Sequence, residues 1–363
     1  TGTRARLAEI AVGSAPRTLA RAPDGRLWVV NKGSATLSIV SPSTLSVVQT
    51  VTLARASQPY GIVIGDDGTA FVTHEATGMV TRVAANGTPG TSASLGTNLR
   101  HLALNAAGTQ LLVSRFVTPP LPGEGTASVQ TSAAGSPRGG EVLVVDAATL
   151  GLQRTIVLRH SERPDTTIGG RGIPNYLGAP AIAPDGASAW VPSKQDNVRR
   201  GRLRDGLDLD FQNTVRAISS RIDLGTQTED PSDRIDHDNS GVASAAAFHP
   251  GGAYLFVALE TSRQVAVVDA RGRRELFRIE AGRAPQGVAV SPDGRTLLVH
   301  NFMDRSVGLY DLGRLVDYGE PSLPLSATLA TIGSERLATQ VLRGKQFFYD
   351  ARDPRLSRDA YIS

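Results

Sequence analysis

Six times along the chain a short apolar run, a turn triplet and a second apolar run follow one another. The triplets are Pro23-Asp24-Gly25, Asp66-Asp67-Gly68, Ala106-Ala107-Gly108, Pro184-Asp185-Gly186, Pro250-Gly251-Gly252 and Pro292-Asp293-Gly294. In the sixth copy Gly287-Val288-Ala289-Val290 precedes the triplet and Leu297-Leu298-Val299 follows it, the pattern of a tight β-hairpin. Two further β-rich runs usually come next, in the fifth copy Val265-Ala266-Val267-Val268-Asp269 and Glu275-Leu276-Phe277-Arg278-Ile279. Four strands per copy, at a period of about 42 residues where no insertion intervenes, predict the blades of an all-β protein, a β-propeller. The propeller is expected over residues 1–333 and a short helical tail over 334–363. Leu7-Ala8-Glu9-Ile10-Ala11-Val12-Gly13 has the pattern of a blade's outer strand without inner strands to accompany it. Either six blades carry an extra strand or a seventh is completed by sequence outside this chain, and the need to remove an exposed edge favours the second.

Charge and composition narrow the field. Lysine and arginine number 38 against 34 acids in 363 residues, without long runs of one sign, which argues against nucleic acid as a partner. No apolar stretch approaches the roughly 18 residues that cross a bilayer. The chain has no cysteine, so disulfides, thiolate metal sites and covalent attachment of haem c by these residues are excluded. It begins at Thr1, as a product freed of a signal peptide would, and a periplasmic or secreted location is expected.

Two resemblances add to this. Ala284-Pro285-Gln286-Gly287-Val288-Ala289-Val290-Ser291-Pro292-Asp293-Gly294, followed by Leu297-Leu298-Val299-His300-Asn301, resembles the YVTN-repeat family of bacterial propellers. Leu255-Phe256-Val257 and Leu27-Trp28-Val29-Val30-Asn31 repeat the motif, and the likeness extends over about residues 15–333. It implies the fold and leaves the activity open. The tail, Leu342-Arg343-Gly344-Lys345-Gln346-Phe347-Phe348-Tyr349-Asp350-Ala351 and then Arg355-Leu356-Ser357, resembles the entry into a cytochrome c domain of the di-haem peroxidase or MauG-like kind. That likeness implies a longer parent carrying haem c, because the Cys-x-x-Cys-His motif would begin where this chain stops.

The hairpin turns mark one face of the blades, so first-strand starts and second-strand ends meet on the opposite one. First-strand starts bring Arg17, Tyr60, Arg100, Gly178, Ser244 and Gln286 there, and second-strand ends bring Asn31, His74, Arg115, Ser193, Leu259 and Asn301. Arg17, Asn31, Tyr60, His74, Arg100, Arg115, Gln286, His300 and Asn301 are the candidate ligand- or partner-binding residues. Insertions at 118–140, 161–175, 197–213 and 226–242 are expected as loops on the same face. His74, His101 and His300 are candidate ligands for copper or zinc, although none has the local spacing of a metal motif. Asp236, Asp238 and Gly241 match the start of a calcium loop, but its twelfth position is Ala247 where a bidentate glutamate belongs, which leaves Asp236 and Asp238 as candidate ligands of a noncanonical calcium site only. Gly170-Arg171-Gly172 precedes no helix, and neither a nucleophile elbow nor a phosphate loop is present.

The expected function is a binding and docking platform outside the cytoplasm. It would receive a protein partner or a fused haem domain on its polar face, as the non-catalytic part of a larger cytochrome-c-type redox and electron-transfer protein. Two alternatives stand beside it: a metal-dependent enzyme or oxidoreductase with its site on that face, and a structural module of the cell surface.

Overall fold

A computed structural model describes residues 5–130, 138–166 and 168–356. Among these, five four-stranded antiparallel sheets have their strands in chain order, and a sixth, enlarged sheet holds seven strands. These are the blades of a β-propeller, numbered one to six along the chain. The chain divides into two compact units, described in turn: 10–118 with 141–156, which holds blades one to three, and 1–9 with 119–140 and 157–363, which holds blades four to six and the tail.

The blades form because their middle strands are apolar on both faces. In blade five Leu255, Phe256, Val257, Ala258 and Leu259 are all buried, with Val265, Ala266, Val267 and Val268 on the next strand. A sheet so patterned must be covered on both sides. In the first unit one core joins Trp28, Val30, Leu37 and Ile39 of blade one to Ile62 and Val72 of blade two. Another joins Phe71 and Val80 of blade two to Leu99, Leu111 and Leu143 of blade three. In the second unit Trp190 and Ala217 of blade four share a core with Leu255 and Val257, and Phe256 and Val267 share one with Leu297 and Val299 of blade six. A fully buried tryptophan or phenylalanine contributes about 3 kcal/mol or more at each such junction.

All six turns expected from the triplets join a first strand to a second. Asp24, Asp67, Asp185 and Asp293 each accept the N–H two residues on, at 2.9, 2.9, 2.9 and 3.0 Å. The glycine that follows each of these aspartates adopts positive φ, 88° at Gly25 and 69° at Gly294. Neighbouring first strands approach closely. Thr18 donates its hydroxyl to the Tyr60 carbonyl and, in the second unit, Ser244 to Pro285 at 3.0 Å, while Thr73 on the second strand of blade two donates to the Arg100 carbonyl at 2.7 Å. A side chain at Gly61 would place its Cβ 2.3 Å from the Arg100 oxygen, so that position must be glycine.

Several expectations need correction. Segment 161–175 forms a strand hairpin, and 226–242 contains two short strands within turns, where loops alone were expected. Ser161–Thr166 pairs with Gly169–Asn175, which in turn pairs with Ser188–Asp196. The fourth strand of blade four is split into Thr228–Glu229 and Ile235–His237, around a 3-10 turn at Pro231–Asp233. Glycines and prolines within these runs conceal strands whose stability comes from their partners. Ser193 therefore lies inside a strand that continues to Asp196. Of the 118–140 insertion, the described part packs Leu121 against Ile173 and Val198, while residues 131–137 lie outside the described residues. Residues 7–13 form no strand; Glu9 accepts the N–H of Gly333 at 3.0 Å, beyond the outer strand Leu325–Ala330 of blade six. The tail helix spans Thr339–Phe348 only, and Phe348 is 77% exposed. Ser357 lies outside the described residues.

At the second-strand ends, Asn31, His74 and Asn301 are buried and cross-link second strand to third. Their partners are Ser38 at 2.9 Å, Thr81 at 2.9 Å and Ser306 at 3.3 Å. Burial pushes the His74 imidazole down to about 4, so its neutral form is favoured by folding. That contribution is complete above the free value of 6.5 and is lost as pH falls towards 4, with a ceiling of about 3 kcal/mol. Asparagine makes the same cross-link in blades one and six. Denaturant titration of His74→Asn at pH 7 and pH 5 should therefore show a smaller loss of stability on acidification than the native chain.

Candidate functional site

In the first unit the site is set by backbone geometry that repeats from blade to blade. The residue just beyond each second strand donates its N–H to a carbonyl just before the first strand: Lys32 to Ala15 at 3.0 Å, Glu75 to Gln58 at 3.0 Å and Phe116 to Asn98 at 2.8 Å. Ala15, Gln58 and Asn98 all have left-handed backbone, with φ of 49°, 50° and 64°. This kink fixes Lys32, Glu75 and Phe116 beside the first-strand starts Arg17, Tyr60 and Arg100.

These six side chains form one cationic and aromatic cluster. The Tyr60 ring has the Arg100 guanidinium 4.9 Å from its centroid, the Lys32 ammonium at 5.4 Å and the Arg17 guanidinium at 5.8 Å. His101 meets the same ring edge-on at 5.2 Å, and Arg100 also lies 3.3 Å from the centre of Phe116. Glu75 accepts from Lys32 at 2.5 Å and from Arg100 at 2.8 Å. Burial raises the Glu75 carboxyl, but the bonds and charges of Lys32 and Arg100 more than offset this and hold it below its ordinary value. Burial, with the nearby Arg100, pushes His101 down to about 4, leaving it neutral at physiological pH. Three cations thus face one carboxylate, and Arg17 is exposed. Such a surface can hold an anion by charge and flank an attached apolar or aromatic group.

Arg115 is placed differently. It pairs with Glu141 at 2.7 Å and donates to the carbonyls of Leu95, at 2.9 Å, and of Thr97, which makes it a brace between blades two and three. Asn31 and His74 are the buried cross-links described above. Of the sequence candidates in this unit, Arg17, Tyr60 and Arg100 come together. Lys32, Glu75 and Phe116 were missed; the signal was the residue one step beyond the repeated Val-Asn, Thr-His and Ser-Arg strand ends.

In the second unit the equivalent positions are Gly178, Ser244 and Gln286, then Glu260 and Phe302. Gln286 donates to Glu260 at 2.7 Å, and burial raises that carboxyl above its ordinary value. Leu259 is buried in the core. His300 is exposed, with its ring 6.4 Å from Phe302. Gly178 lies too close to Pro192 and to the Ser244 carbonyl, 2.9 Å from a Cβ, to carry a side chain.

The metal candidates are engaged otherwise. Asp236 is ion-paired with Arg216 at 2.8 Å, each side chain about 5% exposed or less, and burial raises its carboxyl. Asp238 bonds to Asn239 at 3.2 Å. Among the described residues no three His, Asp or Glu side chains gather where they could share an ion. A different constellation appears in blade four. Ser219 Oγ is 2.9 Å from His237 Nε2, and His237 Nδ1 is 2.7 Å from Glu275, which Arg278 also contacts at 2.5 Å. These are the distances of a nucleophile, base and carboxylate relay. Ser219 and His237 are wholly buried, so no substrate reaches the hydroxyl, and the relay instead ties blade four to the outer strand of blade five.

The fold and this cluster define a β-propeller with a cationic, aromatic rim in its first three blades. No family model matches the chain, and no curated protein matches its sequence. Among solved structures it is similar to a chain of the Kuenenia stuttgartiensis hydrazine synthase, at 17% identity and a TM-score of 0.66, over 84% of this chain and 86% of that one. It is also similar to a functionally unknown protein from Desulfotomaculum acetoxidans, at 14% identity and a TM-score of 0.54, over 83% and 78% of the two chains. At these identities the likeness is one of fold.

The ion pairs of Glu75 stabilise the fold fully above its ordinary value of 4.5 and are lost as pH falls through the lowered one. Glu75→Gln should cost about 2 kcal/mol near pH 7. The difference between native and variant denaturation curves should shrink as pH falls below 4.5 and vanish once it has passed through the lowered value.

Proposed function

We propose that this chain is a binding and docking propeller that works outside the cytoplasm, and that the rim of blades one to three receives a carboxylate-bearing group of a partner. The observation that carries the reading is the arrangement of Arg17, Lys32 and Arg100 around Tyr60, with Glu75 as their one counter-charge among the described residues. Glu75 holds Lys32 and Arg100 in fixed positions, which lowers the ordering cost of binding, and exposed Arg17 supplies the first contact. The partner class is a c-type haem protein or a haem domain continuing from the tail. Support comes from Gly344, Lys345, Phe347 and Phe348, which stand in a helix, as the resemblance to a cytochrome c entry requires. Haem would then be supplied by sequence other than this cysteine-free chain.

Two measurements test the two halves. Benzene-1,3,5-tricarboxylate, titrated by calorimetry, should bind the native chain about tenfold or more tightly than the Arg17→Ala/Lys32→Ala variant, and the affinity should fall with added salt. Equal binding by that variant would remove the rim from the function. The product of the native gene, matured in a haem-attaching periplasm, should show a Soret band that survives denaturation. A gene that ends at Ser363 would leave the binding role and remove the haem parentage.

A further inference from the structure

Beyond the tail helix the chain folds back onto blades five and six, where ion pairs dominate its contacts. Asp350 is only 2% exposed. One of its oxygens accepts from Arg263 Nε at 2.8 Å, the other pairs with the same guanidinium, and Arg283 stands 3.5 Å away. Next to it Ala351 donates its N–H to the Thr261 carbonyl at 3.0 Å, and Arg352 pairs with Glu280. The ring of Tyr349 meets Phe302 edge-on at 6.1 Å. Thr261 and Arg263 follow the second strand of blade five, and Arg283 precedes the first strand of blade six. The tail therefore sits on the loop edge of these two blades, opposite the turns that join their first strands to their second.

What holds this segment is charge rather than apolar burial. The tail helix has no fully buried residue, and Val341, Phe348 and Leu356 are 50%, 77% and 57% exposed. A segment with so few apolar contacts opens at low free-energy cost. The socket beneath would be unbalanced without it. Arg263 is depressed from its ordinary value by burial and then by Arg283 and Arg352, and of these Arg283 has Asp304 as an alternative partner, at 3.1 Å. Arg263, half-shielded and bidentate toward Asp350, is shaped for a carboxylate.

We infer that Arg263 and Arg283 form a receptor for an acidic peptide segment, and that residues 349–353 of this chain fill it in cis as a displaceable latch. An external peptide of the same chemistry binds only when the latch is open, so its apparent affinity is reduced by the fraction of chains that are closed. This inference concerns blades five and six and stands independently of the rim on blades one to three.

The probe is a synthetic peptide of residues 346–356, added to the whole chain. It should bind Asp350→Ala about tenfold or more tightly than the native chain, and a peptide carrying asparagine at position 350 should not bind. Arg263→Ala/Asp350→Ala should lose the binding, which separates this socket from the Arg17 and Lys32 rim. Hydrogen exchange read on the same samples should show residues 339–356 exchanging about tenfold faster in Asp350→Ala, with the strands of blades five and six still protected as an internal check on folding. Equal peptide affinity for native and Asp350→Ala chains, undiminished binding by the double variant, or unchanged exchange of the tail would each overturn the latch.

Discussion

A twisted sheet whose second and third strands are apolar on both faces has nowhere to place those faces except against two neighbours, and every other feature of this chain follows from meeting that demand. Side-by-side packing brings the first strands of consecutive blades within hydroxyl-to-carbonyl distance, as at Thr18 and Tyr60, and leaves room for no side chain at Gly61. Because the first strands are pinned in this way, the residues at their starts can only project from one edge of the blades. The rim is thus a by-product of core packing: Tyr60 and Arg100 meet because Ile62 and Leu102 are buried behind them.

How far the sequence could be read follows the same logic. The turns were legible because each depends on local chemistry alone, a glycine for positive φ in all six and, in four of them, an aspartate oxygen for the N–H two residues on. Blade four was not, because Gly169–Asn175 and the pieces at 228–229 and 235–237 have little strand propensity of their own and owe their form to pairing with strands that are distant in sequence. The rim was half legible. Strand starts placed Arg17, Tyr60 and Arg100 correctly in register, whereas side-chain alternation sends Asn31 and His74 into the blade and the next residue, Lys32 or Glu75, outward. Arg115 shows a further limit, since a long side chain at a rim position can turn back to satisfy carbonyls of its neighbour.

Buried charge is handled in two contrasting ways. Arg216 with Asp236, and Arg234 with Glu229, are closed pairs whose partners share the cost of dehydration, and they cement the enlarged fourth blade. The cluster around Tyr60 leaves positive charge over and keeps Arg17 in water. The difference separates ion pairs that complete a fold from charges that remain available to an outside partner.

The left-handed residues that precede the first strands carry a consequence of their own. Ala15, Gln58, Asn98 and, in blade six, Ala284 have side chains with no common chemistry, yet their backbones adopt nearly the same angle and receive the same hydrogen bond. The position of every rim side chain is consequently written in main-chain geometry, at a cost of about 1 kcal/mol per residue, and not in the identity of the side chain itself. Lysine, glutamate and phenylalanine occupy interchangeable sockets. A chain built this way can acquire a new ligand by single-letter spelling changes at its edge while the architecture that displays them is inherited unaltered.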